Sequence, residues 1–133
     1  MKSKNVDLKK IADSLRERCP FILFAMFTGL DENGELNRKE NPELSVFIGP
    51  DTGNWHALEQ ILPVMSKMIP GEMCDVTLLN RVDAVTRFRA ANGQCLFVQE
   101  GKEQQYTKFV KHASLDYRIM RAQYRRRGII END

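Results

Sequence analysis

The sequence predicts an α/β domain: a mixed four-stranded sheet, helices packed on it, and a long C-terminal helix. Three observations predict it. Phe21 to Phe27 and Leu44 to Ile48 are continuous apolar runs of strand length, as expected for strands buried on both faces. Segments with apolar residues at helical spacing alternate with these and with later strand-like runs. The stretch from Lys102 to Arg126 carries one apolar stripe over its whole length.

Taken in order, Asp7 to Arg18 is a helix, with Val6, Leu8, Ile11 and Leu15 on its apolar face and charges elsewhere. Asp7 is its expected N-cap, with Ser3 and Asn5 as the other candidates, and Pro20 stops it. The first strand follows. Residues 28 to 43 are polar and broken by Gly29, Asn33, Gly34 and Pro42, so they form a long surface loop, a common place for function. After the second strand and a turn from Gly49 to Gly53, Trp55 to Met68 is helical, with Leu58, Ile61, Leu62 and Met65 expected inward. Trp55 is expected to anchor packing beneath the turn. Pro63 predicts a kink or two shorter helices.

Met73 to Leu79 is a third strand with Asp75 inside it, and Asp83 to Ala90 is a helix ending near the cap pair Asn92-Gly93. Gln94 to Gln99 is a fourth strand. The terminal helix then presents Tyr106, Phe109, Val110, Ala113, Tyr117 and Met120 inward. No repeat or linker interrupts this order. One domain is expected over 1–133, with a structured core over 6–126.

Bulk composition narrows the function classes. The chain has 133 residues, 42% apolar and 29% charged, which fits one globular domain. A net charge of +2 gives no argument for nucleic-acid binding. No apolar run approaches the roughly 20 residues needed to span a bilayer, and a cytoplasmic protein is expected. Cys19, Cys74 and Cys95 fit no zinc spacing, and an odd count argues against a full disulfide set. Cys74 and Cys95 lie in strand-like runs and are expected to be small buried hydrophobes. His56 and His112 sit in no nucleophile or metal pattern.

Two stretches carry the chemistry: Phe27-Thr28-Gly29-Leu30, and Asn41-Pro42-Glu43-Leu44-Ser45-Val46-Phe47-Ile48. A glycine turn after a strand lets backbone N–H groups approach phosphate. Polar ligands at i and i+2 on a strand point to one side, and an acid on a neighbouring strand can complete a metal cage. Asn41, Glu43 and Asp75 occupy such positions.

With this order and spacing, the chain resembles the minimal nucleotidyltransferases, small polymerase-β-like proteins often encoded beside HEPN-domain partners. Their pattern is Gly-Ser, a loop of about a dozen residues, Asp-x-Asp, then a later Asp. Gly29 matches the turn glycine and Gly34 a second loop glycine. Asn41 and Glu43 fall on the acidic pair and Asp75 on the third acid. Cys74-Asp75-Val76-Thr77-Leu78-Leu79-Asn80-Arg81, Thr86-Arg87-Phe88-Arg89, Gly93-Gln94-Cys95-Leu96-Phe97 and Phe109 to Arg118 resemble later segments of the same family. The resemblance covers residues 7 to about 125 and implies a nucleotidyltransferase fold.

The departures fall on the reacting positions. Leu30 stands where a hydroxyl would hold phosphate, Asn41 is neutral, and Glu43 reaches one methylene further than aspartate. Magnesium demands near-ideal octahedral geometry at about 2.1 Å. The expectation is therefore a degenerate active site, with Asn41, Glu43 and Asp75 as relic catalytic positions and Gly29, Leu30 and Gly34 as a relic nucleotide turn. The resemblance implies an antitoxin-like role, binding a HEPN-type toxin and needing no cofactor. Two alternatives stay open. One is an active enzyme using Mg²⁺, held by Glu43 and Asp75, to transfer NMP from ATP to a protein. The other is a regulatory homodimer. Arg118, Arg121 and Arg125 share one face of the terminal helix and are the candidate partner-binding residues.

Overall fold

The computed structural model describes residues 6–30, 35, 41–69 and 74–128. Its elements run α1 (Leu8–Arg18), β1 (Ile22–Thr28), β2 (Glu43–Ile48), α2 (Asn54–Met68), β3 (Asp75–Leu78), a 3-10 turn (Leu79–Arg81), α3 (Ala84–Ala91), β4 (Gln94–Val98) and α4 (Glu103–Arg126). The four strands form one sheet in the order β3-β2-β1-β4. β1 pairs antiparallel with β2 and β4, whereas β2 and β3 run parallel. The parallel pair needs a crossover, which α2 supplies.

β1 is buried along its length because it is central and covered on both sides. Below it, Ile22, Ala25 and Phe27 join Leu44, Val46 and Ile48 against α1 (Ile11, Ala12, Leu15) and α2 (Ala57, Ile61, Val64, Met65). Above it, Leu23, Phe24 and Met26 meet Leu79 and Ala90, with Phe47, Tyr106 and Phe109 packed on them. The pairing of β1 with β2 slips one residue between Ile22 and Phe24. This bulge puts Leu23 and Phe24 on the same face, which strict alternation would forbid.

Local chemistry sets the helix ends. The Asp7 carboxylate accepts from the Lys10 backbone N–H at 3.1 Å, and Asp83 accepts from Thr86 at 2.8 Å. That backbone donor holds the Asp83 carboxyl below its ordinary value. Asn80, in the 3-10 turn, uses its side-chain amide as a strand would. It donates to the Ile48 carbonyl at 2.8 Å and accepts from the Ile48 N–H at 3.0 Å, tying the end of β3 to the end of β2.

Four expectations are corrected. α2 is a single helix through Pro63 rather than two. Pro63 and Glu59, whose carbonyl loses its N–H partner, both lie on the solvent side, where water can serve that carbonyl. Trp55 is no anchor but 76% exposed, and Leu62, expected inward, is 48% exposed. The apolar face of α2 runs instead through Ala57, Ile61, Val64 and Met65. Cys74 and Cys95 are only half-buried, while Cys19, at the end of α1, is the buried thiol.

Ser45 is the buried polar side chain among the described residues, 1% exposed on a central strand, and its hydroxyl has no hydrogen-bond partner there. An unsatisfied buried hydroxyl costs about 1–3 kcal/mol. Ser45→Ala is therefore expected to raise stability by about 1 kcal/mol. Urea unfolding checks this: an equal or lower midpoint would mean that Oγ holds a bound water worth keeping.

Candidate functional site

The C-terminal end of β1 and the N-terminal ends of β2 and β3 meet at one edge of the sheet. Thr28 is the register partner of Glu43, and Glu43 that of Asp75. Pairing thus places residues 28, 43 and 75 side by side. Alternation along β2 puts Glu43 on the side of Ser45 and Phe47, facing α3 and α4. An open cleft of about 440 Å³ lies there, lined by Thr28, Asn41, Glu43, Asp75 and Arg89. That volume suits a small-molecule site.

Close backbone approaches build this edge. Gly29 has φ +99°, a left-handed value open to glycine, and a Cβ there would sit 2.7 Å from the Pro42 Cα. Pro42 in turn accepts from the Asp75 N–H at 2.9 Å, so the turn after β1 fixes the start of the β2–β3 pairing. Gly93 packs closely beside Thr28, since a Cβ on it would meet the Thr28 methyl at 2.7 Å.

The Glu43 carboxylate is already engaged. The Thr77 hydroxyl donates to its Oε2 at 3.0 Å, and Arg89 Nη2 lies 3.4 Å from Oε1 and 3.5 Å from Oε2. Burial pushes the thiol of Cys74, next to Asp75, up to about 11.

Sequence and structure agree on part of this constellation. Asn41, Glu43 and Asp75 do converge on one cleft. Asp75 is exposed because β3 is an edge strand, which accounts for an acid in an otherwise apolar run. Leu30 is not among the cleft-lining residues and packs half-buried against the α1–α2 core. Gly34 lies outside the described residues. The arginines of α4 are elsewhere. Arg121 donates to the Tyr117 hydroxyl at 3.4 Å and lies over its ring, which itself stacks on Phe88 at 4.0 Å. It therefore belongs to the α3–α4 packing as much as to any outer surface, while Arg118 and Arg125 are exposed. Thr28, Thr77 and Arg89 were not singled out as site residues. The sequence signals for them were Thr28 preceding the turn glycine, and Thr77 and Arg89 lying within the later segments that resemble the family.

A nucleotidyltransferase would hold divalent metal at this edge, where the described residues bring two carboxylates, Glu43 and Asp75. No group of three or more His, Cys, Asp or Glu side chains converges among them. Asn41 brings no charge, and both Glu43 oxygens already face protein donors.

The mixed sheet, its strand order and the strand-end cleft define a nucleotidyltransferase fold. No protein-family model matches the chain, and no curated protein matches it in sequence. Solved structures do. The chain is similar to the minimal nucleotidyltransferase antitoxin MntA in a toxin–antitoxin complex carrying two Asp→Glu changes, with TM-score 0.70, 18% identity, and 90% of this chain and 94% of that one covered. A toxin–antitoxin structure with AMP-PNP gives TM-score 0.68, 16% identity, and coverage of 90% and 94%. The complex of tri-AMPylated Shewanella oneidensis HEPN toxin with MNT antitoxin gives 0.64, 15% identity, and coverage of 89% of each chain. At these identities the likeness establishes the fold. Among the described residues no helix is long and apolar enough to cross a membrane.

Proposed function

We propose that this chain acts as an antitoxin-like protein that binds a HEPN-type toxin, with nucleotidyl transfer weakened or lost. The state of Glu43 carries this reading. The one remaining acid of the strand pair is tied to Thr77 and Arg89, beside a neutral Asn41. The turn residue Leu30 packs on the core and offers no hydroxyl to a phosphate. Misplacing a reacting group by about 1 Å can cost an enzyme roughly a hundredfold in rate. The neighbours in fold were crystallised as toxin–antitoxin complexes, which supports a protein partner for this frame.

Two measurements on one co-expressed pair test the proposal. The tagged chain, co-expressed with the product of the neighbouring reading frame, is expected to bring that product down untagged. With radiolabelled ATP and Mg²⁺, the partner is expected to stay unlabelled. Strong Mg²⁺-dependent labelling, lost in Asp75→Ala, would show a working enzyme instead. A chain that purifies alone as a dimer would favour the homodimer.

A further inference from the structure

We propose that Arg89 is the resident cation of the acidic edge and that it keeps divalent metal out of the cleft. The Glu43 side chain is only 14% exposed, while Arg89 is 57% exposed. A carboxylate so withdrawn from water needs a positive partner, because an unpaired one has lost its hydration without compensation. One Arg89 nitrogen spans both Glu43 oxygens at 3.4 and 3.5 Å, and Thr77 takes a further lone pair. A metal ion would need those same oxygens and would meet the guanidinium charge at close range. The site therefore holds one cation or the other, and the chain supplies its own.

The fold delivers that cation with some rigidity. Asp83 caps the start of α3, and Phe88, the residue before Arg89, stacks on Tyr117 of α4 with ring planes 5° apart. This clamp fixes the last turns of α3 over the ends of β1 and β2. It thereby places Arg89 within reach of an acid 46 residues away in sequence. Arg89 thus decides which cation the edge accepts, and this role stands independently of any protein partner.

Manganese binding to the isolated full-length chain, followed by electron paramagnetic resonance of free Mn²⁺, tests this. The native chain is expected to show no saturable site. Arg89→Gln removes the charge and is expected to create one, binding at least about tenfold more tightly than the native chain. Arg89→Lys keeps a cation and is expected to keep exclusion. Glu43→Gln added to Arg89→Gln is expected to abolish the new site. Thermal unfolding gives a second readout: Mn²⁺ is expected to raise the melting temperature of Arg89→Gln but not of the native chain. Arg89→Met serves as a second neutral variant if Arg89→Gln folds poorly. Native protein that binds Mn²⁺ as tightly as either neutral variant overturns the proposal, and so do neutral variants that gain no site. Co-purification of a toxin partner is unaffected by either outcome.

Discussion

Phe24→Ala is expected to cost about 3–5 kcal/mol, the range for deleting a fully buried aromatic side chain. Phe24 is 0% exposed at the centre of the sheet. Its ring lies 5.0 Å from Phe47 on β2, and 5.3 Å from both Tyr106 and Phe109 on α4. Losing it removes two of the three aromatic contacts that join the sheet to the terminal helix among the described residues, leaving Phe47 against Phe109 at 6.1 Å. The surrounding rings are anchored on separate elements, so they cannot collapse into the space without moving α4. A domain of this size is stabilised by about 5–15 kcal/mol in total, so the loss is a large fraction. Urea unfolding followed by far-UV circular dichroism is expected to show the midpoint falling by about 2 M. A shift under a quarter of that would mean α4 contributes little to the fold.

Gly29→Ala is the second large effect, and it reaches the site. The added methyl would meet the Pro42 Cα at 2.7 Å and the Asn41 carbonyl at 2.9 Å, both backbone atoms that no rotamer change can move aside. The φ of +99° adds strain for any residue with a Cβ. Strain and overpacking each cost about 1–3 kcal/mol. Relief requires Pro42 to shift, which pulls on the Asp75 N–H bond and on the Thr28–Glu43 register. The expected result is a urea midpoint lowered by about 1–2 M. In the amide spectrum, the shifts are expected to concentrate at Thr28, Glu43, Asp75 and Thr77. Unchanged stability would show that the turn yields easily and does not position the cleft.

The sequence showed the strands more clearly than the helix faces. β1 and β2 were legible because continuous apolar runs of that length suit strands covered on both sides, and both strands are central. The α2 face was misread because Trp55 and Leu62 look like core residues by type. Their exposure is set by how α2 crosses the sheet, with Ala57 and Val64 taking the close contacts. The bulge that puts Leu23 beside Phe24 has no local signature either.

By itself, the sequence determined the element order, the helix cap at Asp7, and the grouping of Asn41, Glu43 and Asp75. Those features are local, or repeat at the spacing of a known pattern, so one-dimensional information suffices for them. Only the tertiary structure decided what Glu43 contacts. Thr77 reaches Glu43 across 34 residues and Arg89 across 46, and no periodicity links them. Strand pairing and the α3–α4 stack bring them together around the Glu43 carboxylate. Ion pairing depends on distance in space and on withdrawal from water, both of which exist only once the chain has folded.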